Sequence, residues 1–136
     1  MILYKRKISF FLLGGMLLLL TGSLHAGEQL QEGGTVYNYQ KLKKMASEGM
    51  EIPRTAIDIT FNATLDAIFY TNAANKMVLG DKHIPFFCPP KDYQMNGSTL
   101  EGIVDSYISR NSRSVSQNDK IGLISVLALR DKFPCN

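Results

Sequence analysis

The chain has 136 residues, of which 15 are lysine or arginine and 12 are aspartate or glutamate. Three of the cations, Lys5, Arg6 and Lys7, lie in an N-terminal leader without acidic residues, so the remaining chain carries 12 positive and 12 negative side chains. A nucleic-acid-binding protein needs an excess of lysine and arginine to displace phosphate counterions, and this balance argues against that class. About 110 residues follow the leader, which is enough for one small domain with one core.

The leader has the pattern of a secretory signal peptide. Residues 8–20, which follow the three cations, carry no charge. The next segment, 21–26, is less apolar and ends in a small residue. A transmembrane anchor, the alternative interpretation, would need roughly 20 apolar residues to cross the hydrocarbon layer. We therefore predict a cleaved signal peptide at residues 1–26, a single domain at residues 27–136, export to the periplasm and no stable membrane anchor after cleavage.

Export changes the interpretation of the two cysteines, Cys88 and Cys135. In an oxidising compartment an even number of cysteines implies disulfides, and two cysteines permit one pairing. The bridge would close a loop of about 47 residues, for which chain-entropy estimates give roughly 4 kcal/mol of stabilisation. Two free thiols or a two-cysteine metal site would be the alternative, but the spacing and the companion ligands for a metal are missing. We predict one disulfide and no metal.

Apolar residues at three- and four-residue spacing predict two helices in the first half of the mature chain. The first covers residues 36–50 and is stopped by Gly49 and Pro53. The second covers residues 54–77 and has a core stripe at four positions: Ile57, Phe61, Leu65 and Ile68. Three more apolar residues widen this stripe, which predicts a helix buried over much of its circumference: Phe69, Ala73 and Met77.

A proline-rich loop at residues 83–93 leads into the second half, because three prolines within six residues remove backbone donors and fix φ. Its apolar side chains are expected to lie under neighbouring helices: Ile84, Phe86 and Phe87. A capping box formed by Ser98 and Glu101 is predicted to begin the third helix. The polar segment 111–119 predicts an exposed loop, and Asn118 or Asp119 is predicted to cap a fourth helix that Pro134 ends.

The fold class predicted from these elements is all-α. No segment alternates with period two, and four helices with short connections predict a small four-helix bundle in a single domain. The Cys88–Cys135 bridge would join the proline loop to the chain just beyond the last helix, and it would hold the final helical hairpin closed.

Residues suited to catalysis or cofactor binding are scarce. His83 is the one histidine after the leader, and no nucleophile motif accompanies it, which favours an ordinary solvated loop histidine. Glu101 and Asp105 form an acidic pair at i,i+4, and helix capping with the helix dipole is the simpler explanation for them. Calcium-loop, zinc-helix and phosphate-loop motifs are not found in the sequence. We expect no catalytic residues, no cofactor and an exported binding or inhibitory module instead of an enzyme.

Four segments resemble the Rap/Tai-type immunity proteins: DAIFYTNAANKMV, IPFFCPP, LEGIVDSYISR and LALRDKFPC. The resemblance spans residues 55–135, and its most specific elements are F-C-x-P at 87–90 and F-P-C at 133–135. Members of that family protect bacteria against amidase effectors of type VI secretion systems. The resemblance implies a small periplasmic helical protein that binds a peptidoglycan amidase effector, blocks its active site and commonly forms a homodimer. Many relatives have a further cysteine near the start of the central helix, and this chain has none at 54–75.

Two exposed segments are candidates for the effector-binding surface. The first is the rigid loop at 89–93, whose mixture of charged and aromatic side chains suits an interface: Lys91, Asp92 and Tyr93. Tyr93 has an equal alternative, a partly buried side chain that closes the following helix. The second is the loop at 111–118, which contains Asn111 and Arg113.

Two other classes of function stay open. A periplasmic acid-stress chaperone of the HdeA type is also small, helical and held by one disulfide, and it works by unfolding at low pH to expose apolar surface. A structural protein of the cell envelope is the third class. The balance of 12 acids and 12 bases in the mature chain discriminates poorly among these, because protonating the acids would charge any small domain positively.

Overall fold

The computed structural model describes residues 34–135, so the predicted signal peptide at 1–26 lies outside the described residues. Four helices follow one another: α1 (Val36–Ser47), α2 (Glu51–Leu79), α3 (Gly97–Arg110) and α4 (Ile121–Lys132). A 3-10 turn (Gly80–Lys82) extends the end of α2. Over this range the chain forms no strand, only an isolated bridge between Thr35 and Lys120. The all-α prediction is confirmed.

The helices pack in chain order: α1 on α2, α2 on α3 and α3 on α4. Backbone hydrogen bonds join the start of α1 to the start of α4 and close the bundle. Val36 N–H donates to the Asp119 carbonyl at 2.9 Å, and Ile121 N–H donates to the Gly34 carbonyl at 2.6 Å. No described helix combines the length with the hydropathy that a membrane span requires.

One hydrophobic core lies between the four helices. The stripe predicted on α2 is buried as expected, and the largest fully buried side chain is Phe61, whose ring meets that of Tyr39 edge-on at 5.2 Å. Leu100 and Val104 of α3 and Leu129 of α4 complete the centre. Full burial of each such side chain contributes about 1.5–3 kcal/mol.

The second half of α2 departs from the prediction. Phe69, Ala73 and Met77 were expected to widen the buried stripe, yet all three are exposed, Met77 at 87%. The 29 residues of α2 extend about 43 Å, whereas the 12 residues of α1 and of α4 extend about 18 Å each. The last buried residue on α2 is therefore Ile68, and the helix continues beyond the partners that could cover more of it.

The start of α3 depends on Asn96, and the predicted capping box of Ser98 and Glu101 is wrong. Thr99 N–H donates to Asn96 Oδ1 at 2.8 Å, while Glu101 turns inward. At Gly97 the helix approaches α2 so closely that a Cβ would lie 2.7 Å from the Asn62 side chain. Asn62 Oδ1 accepts a hydrogen bond from Gly97 N–H at 3.0 Å. The contact requires glycine there.

Two further helix ends differ from the predictions. Pro53 lies inside the first turn of α2 instead of only stopping α1, because the first N–H groups of a helix have no intrahelical acceptor and proline costs nothing there. Neither Asn118 nor Asp119 caps α4. The N-cap residue is Lys120, and the Asp119 carboxylate instead accepts a hydrogen bond from Ser116 N–H at 2.7 Å.

The predicted disulfide between Cys88 and Cys135 is present, with the two Cα atoms 5.1 Å apart. It joins the proline loop to the segment that follows α4. Next to it, Cys88 N–H donates to the Phe133 carbonyl at 2.9 Å.

Candidate functional site

The proline loop is held against the end of α4 at two successive points. The disulfide at Cys88 is the first, and the ring of Tyr93, which packs edge-on against Phe133 at 4.8 Å, is the second. Between them, Tyr93 N–H donates to the Pro90 carbonyl at 3.0 Å and closes a tight turn. We name residues 84–93 together with 133–135 the disulfide edge. Its turn is fixed at both ends.

The three candidate residues in this loop occupy different environments. Lys91 and Asp92 form the exposed tip of the turn. Tyr93 is partly exposed, and its packing against Phe133 combines the two interpretations considered for it. Lys91 and Asp92 can contact a partner directly, whereas Tyr93 also supports the loop through its contact with Phe133.

A shallow cavity of about 420 Å³ extends from Tyr93 across the outer face of α3. Its floor is formed by small residues that recur at helical spacing: Thr99, Gly102 and Ser106. Arg110 closes the far end and donates a hydrogen bond to Asp131 at 2.8 Å. Of the residues predicted to bind an effector, Tyr93 lines this groove, whereas Lys91, Asp92, Asn111 and Arg113 do not.

Asn111 and Arg113 differ in how available their side chains are to a binding partner. Asn111 ends α3, and its side-chain amide donates to the Tyr107 carbonyl at 2.9 Å. Its own carbonyl accepts hydrogen bonds from Ser114 N–H and Val115 N–H, both at 2.9 Å. Asn111 thus shapes the turn, and Arg113 is the exposed side chain of the turn.

A second groove lies on the other side of the disulfide, and sequence reasoning missed it. Ile84, Phe86, Leu127 and Arg130 line a cavity of about 410 Å³ that Cys135 borders. Ile84 and Phe86 had been expected inside the protein, but Ile84 is 80% exposed and Phe86 is only partly covered. Successive side chains of an extended segment point to opposite sides, so when Phe87 turns inward against Phe69, Phe86 turns outward.

A network of charged side chains joins α1, α2 and α3 at the opposite end of α2. The Arg54 guanidinium donates two hydrogen bonds to the Glu101 carboxylate, at 2.6 and 3.3 Å. Its Nε donates a third hydrogen bond to Asp58 at 3.1 Å. The Tyr39 hydroxyl donates to Asp105 at 2.7 Å. Lys43 forms an ion pair with Asp105. The acidic pair of Glu101 and Asp105 therefore stabilises the fold through partners on other helices, which capping alone did not predict.

The network raises the pKa values of two of its members, Tyr39 and Arg54. Burial, reinforced by the neighbouring Asp105 and Glu101 carboxylates, raises the pKa of the Tyr39 hydroxyl well above its ordinary value. Hydrogen bonds to Glu101 and Asp58 raise the pKa of Arg54. Tyr39 is therefore a permanent donor and Arg54 a permanent cation at neutral pH.

Alkaline titration should expose the role of Tyr39. The pKa of this hydroxyl is raised in the folded state above the value near 10 of an unfolded chain, so stability is unaffected below about pH 10 and falls above it. We expect Tyr39 to contribute a loss of up to about 1.4 kcal/mol per pH unit in the free energy of unfolding, measured by urea denaturation from pH 8 to about 11.5. Tyr39→Phe should flatten this slope. Tyr37→Phe, which alters an exposed tyrosine, should keep it, and equal slopes in both variants would contradict the assignment.

His83 lies in the loop and is half-buried, and its buried Nδ1 has no hydrogen-bond partner among the described residues. Within residues 34–135 no group of three histidine, cysteine or acidic side chains is placed to hold a metal ion. The prominent features are exposed side chains on a rigid edge, an arrangement suited to contact with another macromolecule. Comparison of the chain with protein-family models, with curated proteins and with solved structures found no significant match.

Proposed function

We propose that the protein is a periplasmic immunity protein that binds a peptidoglycan amidase effector of a type VI secretion system and inhibits it. One observation carries the proposal. The two motifs in which the resemblance to immunity proteins is most specific, at 87–90 and 133–135, are joined by the disulfide. Their phenylalanines are buried in the core, and the residues that each motif leaves exposed lie beside the bridge: Cys88, Pro90, Pro134 and Cys135. Distant parts of the chain thus contribute to a single surface.

The disulfide edge has the physical properties of an inhibitory surface. A turn that is already ordered at both ends loses little conformational entropy on binding, so more of the contact energy appears as affinity. Ile84 and Phe86 of this edge, with Leu127 of α4 beside them, offer apolar area at about 25 cal/mol per Å² buried. Lys91 and Asp92 of the edge, and Arg130 of the adjoining groove, add charges that can select a complementary partner. Enzyme active sites are concave, and a projecting turn fits such a cleft.

The proposed location rests on two features. The leader at residues 1–26 has the pattern of an export signal. The Cys88–Cys135 disulfide is compatible with an oxidising compartment such as the periplasm. Peptidoglycan amidases act in that compartment, so inhibitor and target would meet there.

Co-expression tests the proposal directly. The genes beside this one are searched for a secreted peptidoglycan amidase, and that enzyme is directed to the periplasm with and without the full chain. We expect lysis without the chain and survival with it, and binding of the purified mature protein in the nanomolar range or tighter, because survival tolerates little free toxin. Equal lysis in both cultures would refute the immunity function.

Variants then locate the surface. Ile84→Asp places a charge on the disulfide edge, and we expect it to weaken amidase binding at least about 10-fold, as does Lys91→Ala combined with Asp92→Ala. Met50→Asp is the matched control, because Met50 is also exposed and apolar but lies at the start of α2, where an acidic cap is tolerated. If Met50→Asp weakened binding as much as Ile84→Asp, the disulfide edge would not be the binding surface.

A further inference from the structure

The second groove, between the proline loop and α4, contains a single charged side chain. Its other walls are apolar and belong to two segments: Ile84, Pro85 and Phe86 of the loop, and Val126, Leu127 and Pro134 from α4 onward. Arg130 is the one lining residue whose side chain carries nitrogen or oxygen, and no acidic residue lines the groove. Arg130 is exposed and forms no ion pair within residues 34–135, whereas its neighbour Asp131 pairs with Arg110. The groove therefore presents an unpaired guanidinium on an apolar surface.

Few backbone N–H groups of the groove remain free to bind a ligand. Pro85 and Pro134 have no N–H, and the N–H of Phe86 already donates to Asn72 Oδ1 at 3.2 Å. The N–H groups in the middle of α4 donate to carbonyls within the helix. The Arg130 guanidinium is therefore the main hydrogen-bond donor that the groove offers. Its planar fork of N–H groups matches a carboxylate, which accepts two parallel hydrogen bonds.

The two walls of the groove are joined before any partner arrives. The Cys88–Cys135 disulfide links the proline loop to the chain beyond α4, and Cys88 N–H donates to the Phe133 carbonyl at 2.9 Å. Cys135 itself borders the groove. A preformed groove loses little conformational freedom on binding, so it selects ligands whose shape and charge already match it.

The positions of the apolar and charged contacts define the ligand further. Leu127 and Arg130 are three residues apart on α4, so their side chains lie on the same face of the helix, about 5 Å from each other at Cβ. Ile84, which is 80% exposed, lies on the opposite wall. A ligand that fills the groove places an apolar side chain between Ile84 and Leu127 and an anionic group close to it. In an extended chain, which advances about 3.3 Å per residue, these two groups belong to residues no more than about two positions apart.

We propose that the second groove binds a segment of the amidase in which an aspartate or glutamate lies within about two positions of a large apolar residue. The carboxylate pairs with Arg130, and the apolar side chain packs between Ile84 and Leu127. The inference rests on the proposed function and deepens it, because it names the chemistry of the amidase surface that this protein recognises. A basic segment is excluded from the groove, since it would place two cations together in a desolvated site.

Charge reversal at Arg130 tests the pairing with the amidase that kills unprotected cells. We expect Arg130→Glu to raise the dissociation constant at least about 100-fold, because it removes the cation and places two carboxylates together. Lys44→Glu is the matched control, since Lys44 is also an exposed cation in the last turn of its helix but lies on α1. It should bind as the wild type does, and circular dichroism confirms that both variants are folded.

Two substitutions of one residue reveal the sign of the partner's charge. Ile84→Asp and Ile84→Lys remove the same apolar contact, but only the aspartate repels an acidic segment. We therefore expect Ile84→Lys to bind the amidase at least about 10-fold more tightly than Ile84→Asp. Equal affinities, which the loss of apolar area alone would give, overturn the proposal, and so does the reverse order.

A charge swap identifies the paired residue of the amidase. A photoreactive phenylalanine analogue at position 127 of the mature protein cross-links the segment seated in the groove, and mass spectrometry of the product gives the sequence of that segment. We expect it to contain an acidic residue whose substitution by arginine restores binding to Arg130→Glu.

The outcomes separate this inference from the proposed function. An amidase that fails to bind the wild type refutes both. An amidase that binds the wild type and Arg130→Glu equally leaves the immunity function standing and overturns the role of the groove. A cross-linked segment without an acidic residue overturns it as well.

Discussion

Replacing Cys88 and Cys135 together by alanine is expected to lower the free energy of unfolding by about 4 kcal/mol, within the 2–5 kcal/mol typical of small secreted domains. The bridge spans 47 positions, so its removal returns a large amount of conformational freedom to the unfolded chain. It also frees the disulfide edge, whose turn would then be held mainly by the packing of Tyr93 on Phe133. A domain with a net stability of roughly 5–15 kcal/mol would lose a substantial part of it.

Urea denaturation of the oxidised wild type and of the double variant measures this difference. Wild-type protein reduced before unfolding is the control, and it should match the variant within about 1 kcal/mol because the same constraint is removed. Thiol labelling of the denatured, unreduced protein should find no free cysteine. Two labelled thiols, or a stability unchanged by the substitution, would contradict the assigned role of the bridge.

Arg54→Ala is expected to lower the free energy of unfolding by about 2–3 kcal/mol. The substitution leaves Glu101, whose side chain is 11% exposed, without its bidentate partner. Breaking a fully buried pair in this way costs about 3–5 kcal/mol. The expected value is lower here because the Arg54 side chain is itself 43% exposed and water screens part of the interaction.

A second pair of charges provides the control for Arg54. Arg110 and Asp131 form an ion pair of similar length, but both side chains are well exposed, so Arg110→Ala should cost less than about 1 kcal/mol. Replacing Arg54 and Glu101 together by methionine should recover most of the loss, because an apolar pair leaves no buried charge. If the double variant were less stable than Arg54→Ala, the loss would not come from an unpaired Glu101.

Local properties of the sequence determined the helices, the disulfide and the irregular loop of this protein. The spacing of Ile57, Phe61, Leu65 and Ile68 predicted both a helix and the face it buries, because one side of a helix recurs every 3.6 residues wherever that helix lies. The disulfide followed from the number of cysteines, since Cys88 and Cys135 permit a single pairing. The proline content placed an irregular loop correctly before α3, because proline restricts the backbone in any context.

Tertiary structure decided which of two compatible local states occurs. The sequence allowed Ser98 and Glu101 to form the N-terminal cap of α3, but the side chain of Asn96 caps this helix instead. The Glu101 carboxylate turns inward, where it binds Arg54, 47 residues away in the chain. Either of two adjacent phenylalanines could have filled the core, and the packing of Phe87 on Phe69 turned Phe86 outward.

The candidate site divides in the same way. Lys91, Asp92 and Arg113 could be predicted as exposed residues of polar turns, and they are exposed. The second groove could not be predicted, because it requires the loop at Ile84 to lie beside Leu127, more than 40 residues along the chain. Exposed apolar residues on α2, among them Ile59, Tyr70 and Met77, recur with the same helical period as its buried face, so the residues themselves do not reveal which face meets the core. Packing decided it, because the other helices contact α2 on the side of Ile57, Phe61 and Leu65 and leave the opposite side exposed.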